Sequence, residues 1–418
     1  MSYFDPSTWR VFTREEFKSY LDRRSESAKS LAKGEAASST KDGGEKARPL
    51  NKIMVFQELL APLDVYCYLK GRFGEPNGLQ TFLKKDDSDN MFHWDYNLMA
   101  GDKELYLAGA TQEIHVWVDD DFSDAEWIDF AKSFKSDFKY FGKQKSAVLH
   151  SLEKWSILPN HFVATANECS EYYEDVKRSL KALEKIAAPQ GAREYDGDYK
   201  KILEKQGKHV NSIRSACVKL NILMPVMFES FLGLLIAILI KPDVRKNRRM
   251  YEAFIRSPLD VKIFDLATRC RGFAKAIEPG NAAMARYWQI VNRRNDVIHG
   301  NLDVERDALD TVYFDKKTPL FRSGGDRIQA HWEGVIRTHD PEQVLLDYEA
   351  THDFIYEIIG HLHPHMQEQA RILTSETEPG WDAKRRIFGK LFPSHVMSFT
   401  MDGLRYDSEL STTNIEGA

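Results

Sequence analysis

The chain has 418 residues, of which 42% are hydrophobic and 29% are charged, and its formal net charge is −5. This length suggests two or three domains, and the composition excludes a disordered or fibrous protein. The small net charge also argues against a protein that wraps nucleic acid with its whole surface, although it leaves room for a local basic face.

The four cysteines indicate a protein of a reducing compartment. Cys67, Cys169, Cys217 and Cys270 lie too far apart for a CxxC zinc or redox motif, and they are too few for a disulfide scaffold. The first residues carry neither the basic nor the apolar region of a signal peptide. We therefore expect a cytoplasmic location.

The N-terminal part of the chain starts with segments that cannot form a core of their own. Residues 1–23 are predicted as a short amphipathic arm. Residues 24–49 are rich in Ser, Lys, Gly and Ala, with Leu31 as their one large apolar residue, and this composition is typical of a flexible linker.

Residues 50–142 are predicted as a small α/β domain with the order helix, three strands, helix. Helical periodicity runs over 52–70, with an expected kink at Pro62. Ser123 or Asp121 is the predicted cap of the last helix. The strands are predicted from alternating apolar residues at 91–98, 103–108 and 113–118.

Residues 143–372 are predicted as a helical bundle with a turn-rich insert at 301–338 and a hairpin near Ser323. Residues 373–418, with scattered aromatics and a polar end, are predicted as a loosely packed tail. The whole chain is thus expected to be α-rich and of the α+β class. The predicted helices cover 143–156, 168–188, 195–219, 222–240, 247–256, 260–277, 282–299 and 341–361.

The most apolar segment, residues 222–240, is predicted as a buried core helix rather than a membrane span. Pro225 and Glu229 interrupt it, and the uninterrupted part, 231–240, is about half the ~20 residues that a bilayer requires. No membrane association is therefore expected.

Positive charge is concentrated in residues 241–300, where 13 Lys or Arg stand against 6 Asp or Glu, an excess of +7. This excess is compatible with two interpretations. The basic side chains bind a polyanion such as RNA, or they neutralise the C-terminal ends of helices. The densest part contains Lys241, Arg245, Lys246, Arg248 and Arg249.

The same segment ends in a helix with recognisable termini. Asn281 is the predicted N-cap, and Gly300 is a typical residue just after a helix. A buried stripe is expected at Ala283, Tyr287, Val291 and Ile298. Arg294 and His299 would then lie ~7–8 Å apart along the axis and roughly 140° apart around it. One chain would not bring them fully together unless the last turn unwinds, and a two-fold partner would complete the site.

These side chains suit RNA cleavage without a metal. An imidazole takes or gives a proton near neutral pH, and a guanidinium stabilises charge on a phosphate. Asn295 would orient the imidazole or the phosphate, and Arg293 is a further candidate for RNA binding. Spacing alone does not exclude a plain helix end with two capping cations.

The run Arg294-Asn295 followed by His299, together with Trp288 upstream and the apolar helix bearing Glu229, resembles the HEPN superfamily. The resemblance covers roughly residues 220–300. It implies a helical bundle that dimerises and a metal-independent endoribonuclease that leaves a 2′,3′-cyclic phosphate. It further implies a role in defence or toxin-like stress responses and leaves room for a regulatory protein partner. The implied catalytic residues are Arg294, Asn295 and His299, with Glu229 as a weaker candidate, and no cofactor is implied.

A second hypothesis stays open, because some members of this superfamily are not catalytic and only dimerise or bind nucleotides or RNA. A third hypothesis is a metal-dependent nuclease that uses Asp119, Asp120, Asp121 and Asp124, although capping of a helix N-terminus explains these carboxylates as well. His361 and His365 have metal-ligand spacing, but Pro364 lies between them. In the N-terminal domain, His93, His115 and Trp117 are the candidates if one sheet face binds a ligand.

Overall fold

The structure, a computed structural model, describes residues 2–32, 52–84, 92–186, 197–322, 327–392 and 404–410. The chain forms two compact units, Met1–Lys154 with Phe392–Ala418, and Trp155–Leu391. Helices dominate, and small antiparallel sheets accompany them, as expected for an α-rich α+β protein. The first unit extends beyond the predicted boundary at 142, because the helix that follows packs on an earlier one.

The first unit combines a five-stranded antiparallel sheet in the order β1-β3-β4-β5-β2 with helices. The helix at 142–151 belongs to it, and Lys145 Nζ lies 2.6 Å from Asp64 Oδ1. Its elements are β1 (Trp9–Val11), α1 (Arg14–Ala32), β2 (Ile53–Phe56), α2 (Pro62–Phe73), α3 (Leu79–Leu83), β3 (Trp94–Ala100), β4 (Lys103–Gly109), β5 (Ile114–Val118), α4 (Asp124–Asp137) and α5 (Gly142–Ser151).

The three predicted central strands are confirmed as β3, β4 and β5, and Ser123 caps α4 through a capping box with Glu126. Two further strands were not predicted. One is β1, which belongs to the N-terminal arm and pairs with β3. The other is β2, which pairs with β5. The linker prediction for 24–49 also differs, since α1 continues to Ala32, and residues 33–49 lie outside the described part of the chain.

The single kinked helix predicted over 52–70 is wrong. Residues Ile53–Phe56 form β2, which pairs with β5 and is buried from Met54 to Phe56. The run Ile-Met-Val-Phe favours a strand through its β-branched and aromatic side chains. The helix begins only at Pro62, where the missing N–H of proline costs nothing because the first turn leaves it unused.

The predicted loose tail contains ordered contacts in both units. Residues 380–382 form a strand that pairs with residues 155–157 on one side and with a second strand, residues 387–389, on the other. In the first unit, the buried Asp407 carboxylate accepts backbone N–H bonds from Gln57 and Glu58 at 3.0 Å and from Leu59 at 2.7 Å. A single carboxylate thereby anchors the C-terminal segment to the loop after β2.

The second unit is a helical assembly around one long helix, α7. Its elements are β6 (Trp155–Ile157), α6 (His161–Glu184), α7 (Gly197–Leu239), α8 (Pro242–Lys246), α9 (Arg248–Ile255), α10 (Leu259–Arg269), α11 (Ala282–His299), β7 (Val312–Asp315), β8 (Thr318–Phe321), α12 (Arg327–His339), α13 (Pro341–Gly360), α14 (Pro364–Ser375), β9 (Gly380–Asp382) and β10 (Ile387–Gly389).

Helix α7 is one helix of 43 residues where the sequence predicts two, at 195–219 and 222–240. Pro225 lies inside it and cannot donate a hydrogen bond to the carbonyl of Asn221. Tertiary packing overcomes that loss, because within residues 222–240 only Glu229 and Gly233 are exposed. Among the described helices, α7 alone is long and apolar enough to cross a membrane, and its apolar side chains form the core of this unit.

The insert after α11 is more structured than predicted. Strands β7 and β8 form a hairpin that turns at Lys316-Lys317, with Lys316 at φ 56°. The hairpin predicted near Ser323 lies outside the described residues. Helix α12 then occupies the end of the insert and packs on α7, since a Cβ added at Gly207 would lie 3.0 Å from the Trp332 ring.

We expect Asp407→Ala to lower the free energy of unfolding of the chain by about 2 kcal/mol, since three backbone N–H groups lose a charged acceptor. Denaturant unfolding followed by circular dichroism measures the change. The neighbouring Ser408 is exposed, so Ser408→Ala is the matched control and should change nothing. Equal stability of the two variants would contradict the anchoring role of Asp407.

Candidate active site

Helix α11 carries the sequence motif and is defined at both ends by its own residues. Asn281 caps it as predicted, and its side-chain oxygen accepts a bond from Met284 N at 2.9 Å. At the other end, Gly300 adopts the left-handed conformation at φ 63°, where glycine has no Cβ penalty. Its N–H and that of Asn301 both bond to the carbonyl of Asp296. His299 is therefore the last helical residue.

The apolar stripe of α11 holds this helix on α7 and α13. Tyr287 is buried, and its ring centroid lies 4.2 Å from that of Phe228 and 5.6 Å from that of Phe354. Ala283 and Val291 are partly buried, as predicted in outline. The prediction fails at Ile298, which is 51% exposed, because the described residues provide no core beyond the last turn of the helix.

Arg294 forms the centre of the candidate site. Its Nη1 donates a hydrogen bond to Asn295 Oδ1 at 3.0 Å, and its Nη2 lies 3.9 Å from Glu229 Oε1 on α7. The Arg294 side chain is one-quarter exposed and Glu229 is half exposed, so this pair faces solvent at the edge of the core. The structure thus brings together three of the four predicted catalytic residues.

Tyr287 lies beneath this pair and was predicted only as a core residue. Burial raises the pKa of its hydroxyl well above the usual value, and the nearby Glu229 charge adds to the effect while Arg294 opposes it. Its hydroxyl is buried and has no hydrogen-bond partner in the described structure. The tyrosine therefore stays neutral and supports the Arg294–Glu229 pair by packing.

His299 is exposed and makes no hydrogen bond within the described residues. Helix α11 stays helical up to His299, so the unwinding that would turn the imidazole toward Arg294 does not occur. The two side chains leave the axis roughly 140° apart, whereas Asn295 and His299, four residues apart, share a face. A single chain therefore places the Arg294 guanidinium and the His299 imidazole at the same end of α11 but on different faces of the helix.

Arg293, predicted to bind RNA, has a structural role. Its Nη2 pairs with the carboxylate of Asp347 on α13, which is fully buried and also accepts a bond from Gln343 Nε2 at 2.8 Å. Burial nevertheless raises the pKa of Asp347 above its usual value. The sequence gives no signal for this pair, because Asp347 is 54 residues away in what reads as an ordinary helix.

The basic cluster divides into two groups. Lys241 Nζ donates to the carbonyl of Thr268 at 2.7 Å at the end of α10. Arg245 donates to the carbonyl of Ala237 near the end of α7 and lies 4.9 Å over the Trp381 ring, where burial lowers its pKa. These two cations neutralise helix C-termini, which is one of the two interpretations of the basic segment.

The remaining basic residues are exposed. Arg248 Nε bonds to Glu252 Oε1 at 2.7 Å, while Lys246 and Arg249 are also open to solvent. Arg248, Arg249 and Arg256 line a shallow groove on α9. Three of the predicted RNA-binding residues, Lys246, Arg248 and Arg249, are therefore placed to contact a polyanion.

Three of the four aspartates of the metal-dependent hypothesis have partners within the protein, and the fourth, Asp121, is exposed. Asp119 accepts a bond from Glu104 N at 2.8 Å, Asp120 pairs with Lys103, and Asp124 pairs with Arg405. Among the described residues, no group of three or more His, Cys, Asp or Glu side chains is arranged to hold a metal ion. This structure offers no geometry for the metal-dependent hypothesis.

The other metal and ligand candidates are separated or enclosed. His361 follows α13, whereas His365 belongs to α14, so the two do not share one helix. In the first unit His115 is buried, stacks on Trp117 with ring centroids 5.6 Å apart, and lies 3.0 Å from Glu113 Oε1. Tyr96 lies on the sheet face opposite to His115 and is buried, as expected for a core residue. Phe92 lies before β3, and its ring contacts that of His115.

Comparison with known proteins finds no matching family model, no similar curated protein and no similar solved structure.

We expect Arg293→Ala to destabilise the protein by about 2–4 kcal/mol, because it removes the nearer cation of the buried Asp347 carboxylate and leaves Arg286, whose Nη2 is 4.0 Å from Asp347 Oδ1. Arg294→Ala should cost under about 1 kcal/mol, since its partner Glu229 is half exposed. Chemical denaturation of the two variants measures this contrast between adjacent arginines. If Arg294→Ala were the more damaging change, the assigned roles would be reversed.

Proposed function

We propose that this protein is a metal-independent endoribonuclease of the HEPN type. The observation that carries the proposal is the arrangement at the end of α11, where Arg294 and Asn295 are hydrogen-bonded and the exposed His299 follows one turn later. These are the side chains that transesterification of RNA requires, and they are accessible rather than enclosed in a core.

The proposed reaction is attack of a ribose 2′-oxygen on the adjacent phosphorus. The 2′-O–P bond forms, the P–O5′ bond breaks, and the products are a 2′,3′-cyclic phosphate and a 5′-hydroxyl. His299 accepts the 2′-hydroxyl proton, and the His299 imidazolium formed in this way donates a proton to the leaving 5′-oxygen. Arg294 stabilises the charge that develops on the phosphoryl oxygens.

Asn295 and Glu229 position the arginine in this proposal. The Asn295 amide oxygen already accepts from Arg294 Nη1, and Glu229 lies on the Nη2 side, so the guanidinium is oriented before RNA arrives. Because Glu229 is half exposed and 3.9 Å away, it holds the guanidinium weakly and leaves Nη2 free to turn toward a phosphate.

A second copy of the chain completes the site in this proposal. Arg294 and His299 leave α11 in different directions, so the guanidinium and the imidazole of one copy do not fully converge. The same helix end exposes two adjacent apolar side chains, Val297 at 39% and Ile298 at 51%. A two-fold contact over this end would cover the apolar pair and place an arginine of one copy near a histidine of the other.

The exposed cations after α7 provide the proposed RNA-binding surface. Glu229 lies ten residues, or ~15 Å of helix, before the end of α7, and Lys246, Arg248 and Arg249 follow that end in α8 and α9. An RNA that reaches both regions would span several nucleotides, and its affinity would fall with rising salt. Lys241, Arg245 and Arg293 are not included in this surface, because they bond to helix-end carbonyls or to the buried Asp347, whereas the Arg248 side chain is 90% exposed despite its bond to Glu252.

A non-catalytic dimerisation or nucleotide- and RNA-binding module is the alternative. It is favoured by the engagement of Arg294 with two protein groups and by the exposed Val297 and Ile298, which fit an interface without requiring chemistry. The two functions differ in one readout, the appearance of new RNA ends.

We expect the wild-type chain to cleave total RNA in the presence of EDTA and to leave 2′,3′-cyclic phosphate ends. Arg294→Ala and His299→Ala should each lower the cleavage rate at least 100-fold, the usual minimum for loss of a proton-transferring group. His365 and Arg178 are exposed and lie elsewhere, so His365→Ala and Arg178→Ala are matched controls that should cleave normally. Products are analysed by end-group mapping.

Cleavage that requires Mg²⁺, or that survives both α11 substitutions, would contradict the proposal. Absence of cleavage with folded, dimeric protein would favour the non-catalytic module.

A further inference from the structure

We infer that a second site, a cleft on the other side of α11, binds a nucleobase. The cleft has a volume of about 670 Å³, within the range of roughly 300–1,000 Å³ that small-molecule sites occupy. It lies where Gly300, at the end of α11, meets α7, the loop at 301–309, and the junction of α12 with α13. This site goes beyond the proposed cleavage chemistry and does not include Arg294, Asn295 or His299, and it shares one lining residue, Val297, with the proposed two-fold contact.

The loop that closes one side of the cleft is held by two arginines, which make their contacts in its second half. Arg306 Nη1 lies 3.4 Å from Asp296 Oδ2, and Arg306 Nε bonds to Asp307 at 2.9 Å. Arg337 donates to the carbonyls of Ala308 at 3.2 Å and Leu309 at 2.9 Å. The cleft is therefore preformed, which lowers the entropic cost of binding.

The walls combine apolar surface with unused hydrogen-bonding groups. Val218, Leu309 and Val344 supply apolar contact. Asn221 Oδ1 and Arg293 Nε, from two other lining residues, are buried and have no hydrogen-bond partner in the described structure. Buried polar groups without partners are uncommon and costly, so an acceptor and a donor left open in one cleft point to a ligand that satisfies both.

The charges of the cleft favour an uncharged ligand. Arg306 pairs with Asp296 and Asp307, Arg293 pairs with Asp347 outside the lining, and Arg337 and Asp340 also line the cleft, so its positive charges are matched by carboxylates. A phosphate or other anion would gain little from such a balanced set. A flat, neutral group with apolar faces and adjacent donors and acceptors along its edge fits the walls, and a nucleobase has this chemistry.

The nucleobase can be that of a free nucleoside or one base of an RNA strand. Gly300 lines the cleft and directly follows His299, so a strand that passes the end of α11 reaches both places. The experiment below separates the two sources.

Binding is measured with the full-length chain. Adenosine, guanosine, cytidine and uridine are tested by titration calorimetry. Fluorescent 2′-O-methyl octamers of each base, which cannot be cleaved, are tested by fluorescence anisotropy together with an abasic octamer. Failure of the ribonuclease proposal does not affect this assay, since no bond is broken.

Two variants address the cleft and one serves as control. Val218→Trp fills the cleft from α7, and Asn221→Leu removes the open acceptor. Val261 is 43% exposed on α10, so Val261→Trp adds the same bulk at a position that does not line the cleft. Asn221→Leu should leave the Tm unchanged or raise it, because the substitution removes an unpaired buried oxygen. This variant therefore keeps the test valid if Val218→Trp fails to fold.

We expect at least one nucleoside or octamer to bind at least tenfold more weakly to both cleft variants, with wild-type affinity for Val261→Trp and no cleft dependence for the abasic octamer. A nucleoside effect identifies a free ligand, and an effect confined to octamers identifies a base of the strand. The inference is overturned if no base-containing probe binds the wild-type chain, or if Asn221→Leu binds all probes as the wild type does.

Discussion

The packing of α11 against α7 through Tyr287 and Phe228 determines where Arg294, Asn295, His299 and Glu229 lie relative to one another. The two rings are 4.2 Å apart at their centroids, and Phe354 of α13 stacks on Phe228 at 5.0 Å, so three helices meet in one buried aromatic cluster. The core ends just beyond this cluster. Arg294 and Glu229 lie at that limit, close enough to the core to be oriented and far enough from it to meet solvent.

The charged residues near this limit have different roles despite their proximity in sequence. Arg293 and Arg294 are adjacent, yet one pairs with a fully buried carboxylate and the other with a half-exposed one. Lys241 and Arg245 donate hydrogen bonds to carbonyls near helix ends, whereas Lys246, Arg248 and Arg249 are exposed to solvent. A local excess of positive charge therefore overstates the surface that is available to RNA, because part of it already satisfies carbonyls and carboxylates of the protein.

Local signals in the sequence predicted much of this architecture. The cap at Asn281, the left-handed Gly300 and the central strands β3, β4 and β5 follow from capping chemistry and periodicity over a few residues. The incorrect predictions share one cause: the structure of those segments depends on contacts with residues that are distant in the sequence. The strand at 53–56 forms by pairing with β5. Helix α7 continues through Pro225 because neighbouring helices pack on it, and Asp407 is buried because it binds the loop after β2. The exposure of Ile298 follows from where the core ends, which helical periodicity does not report.

The central claim is that the candidate site uses Arg294 of one copy and His299 of another, and complementation between two inactive variants tests it most directly. Arg294→Ala and His299→Ala chains are denatured together, refolded as a mixture and assayed for RNA cleavage, with each variant refolded alone for comparison. If the groups act across the two-fold axis, each mixed dimer contains one intact site, and activity should return to about one-quarter of the wild-type level. A mixture that forms mixed dimers but stays as inactive as its components would contradict the account.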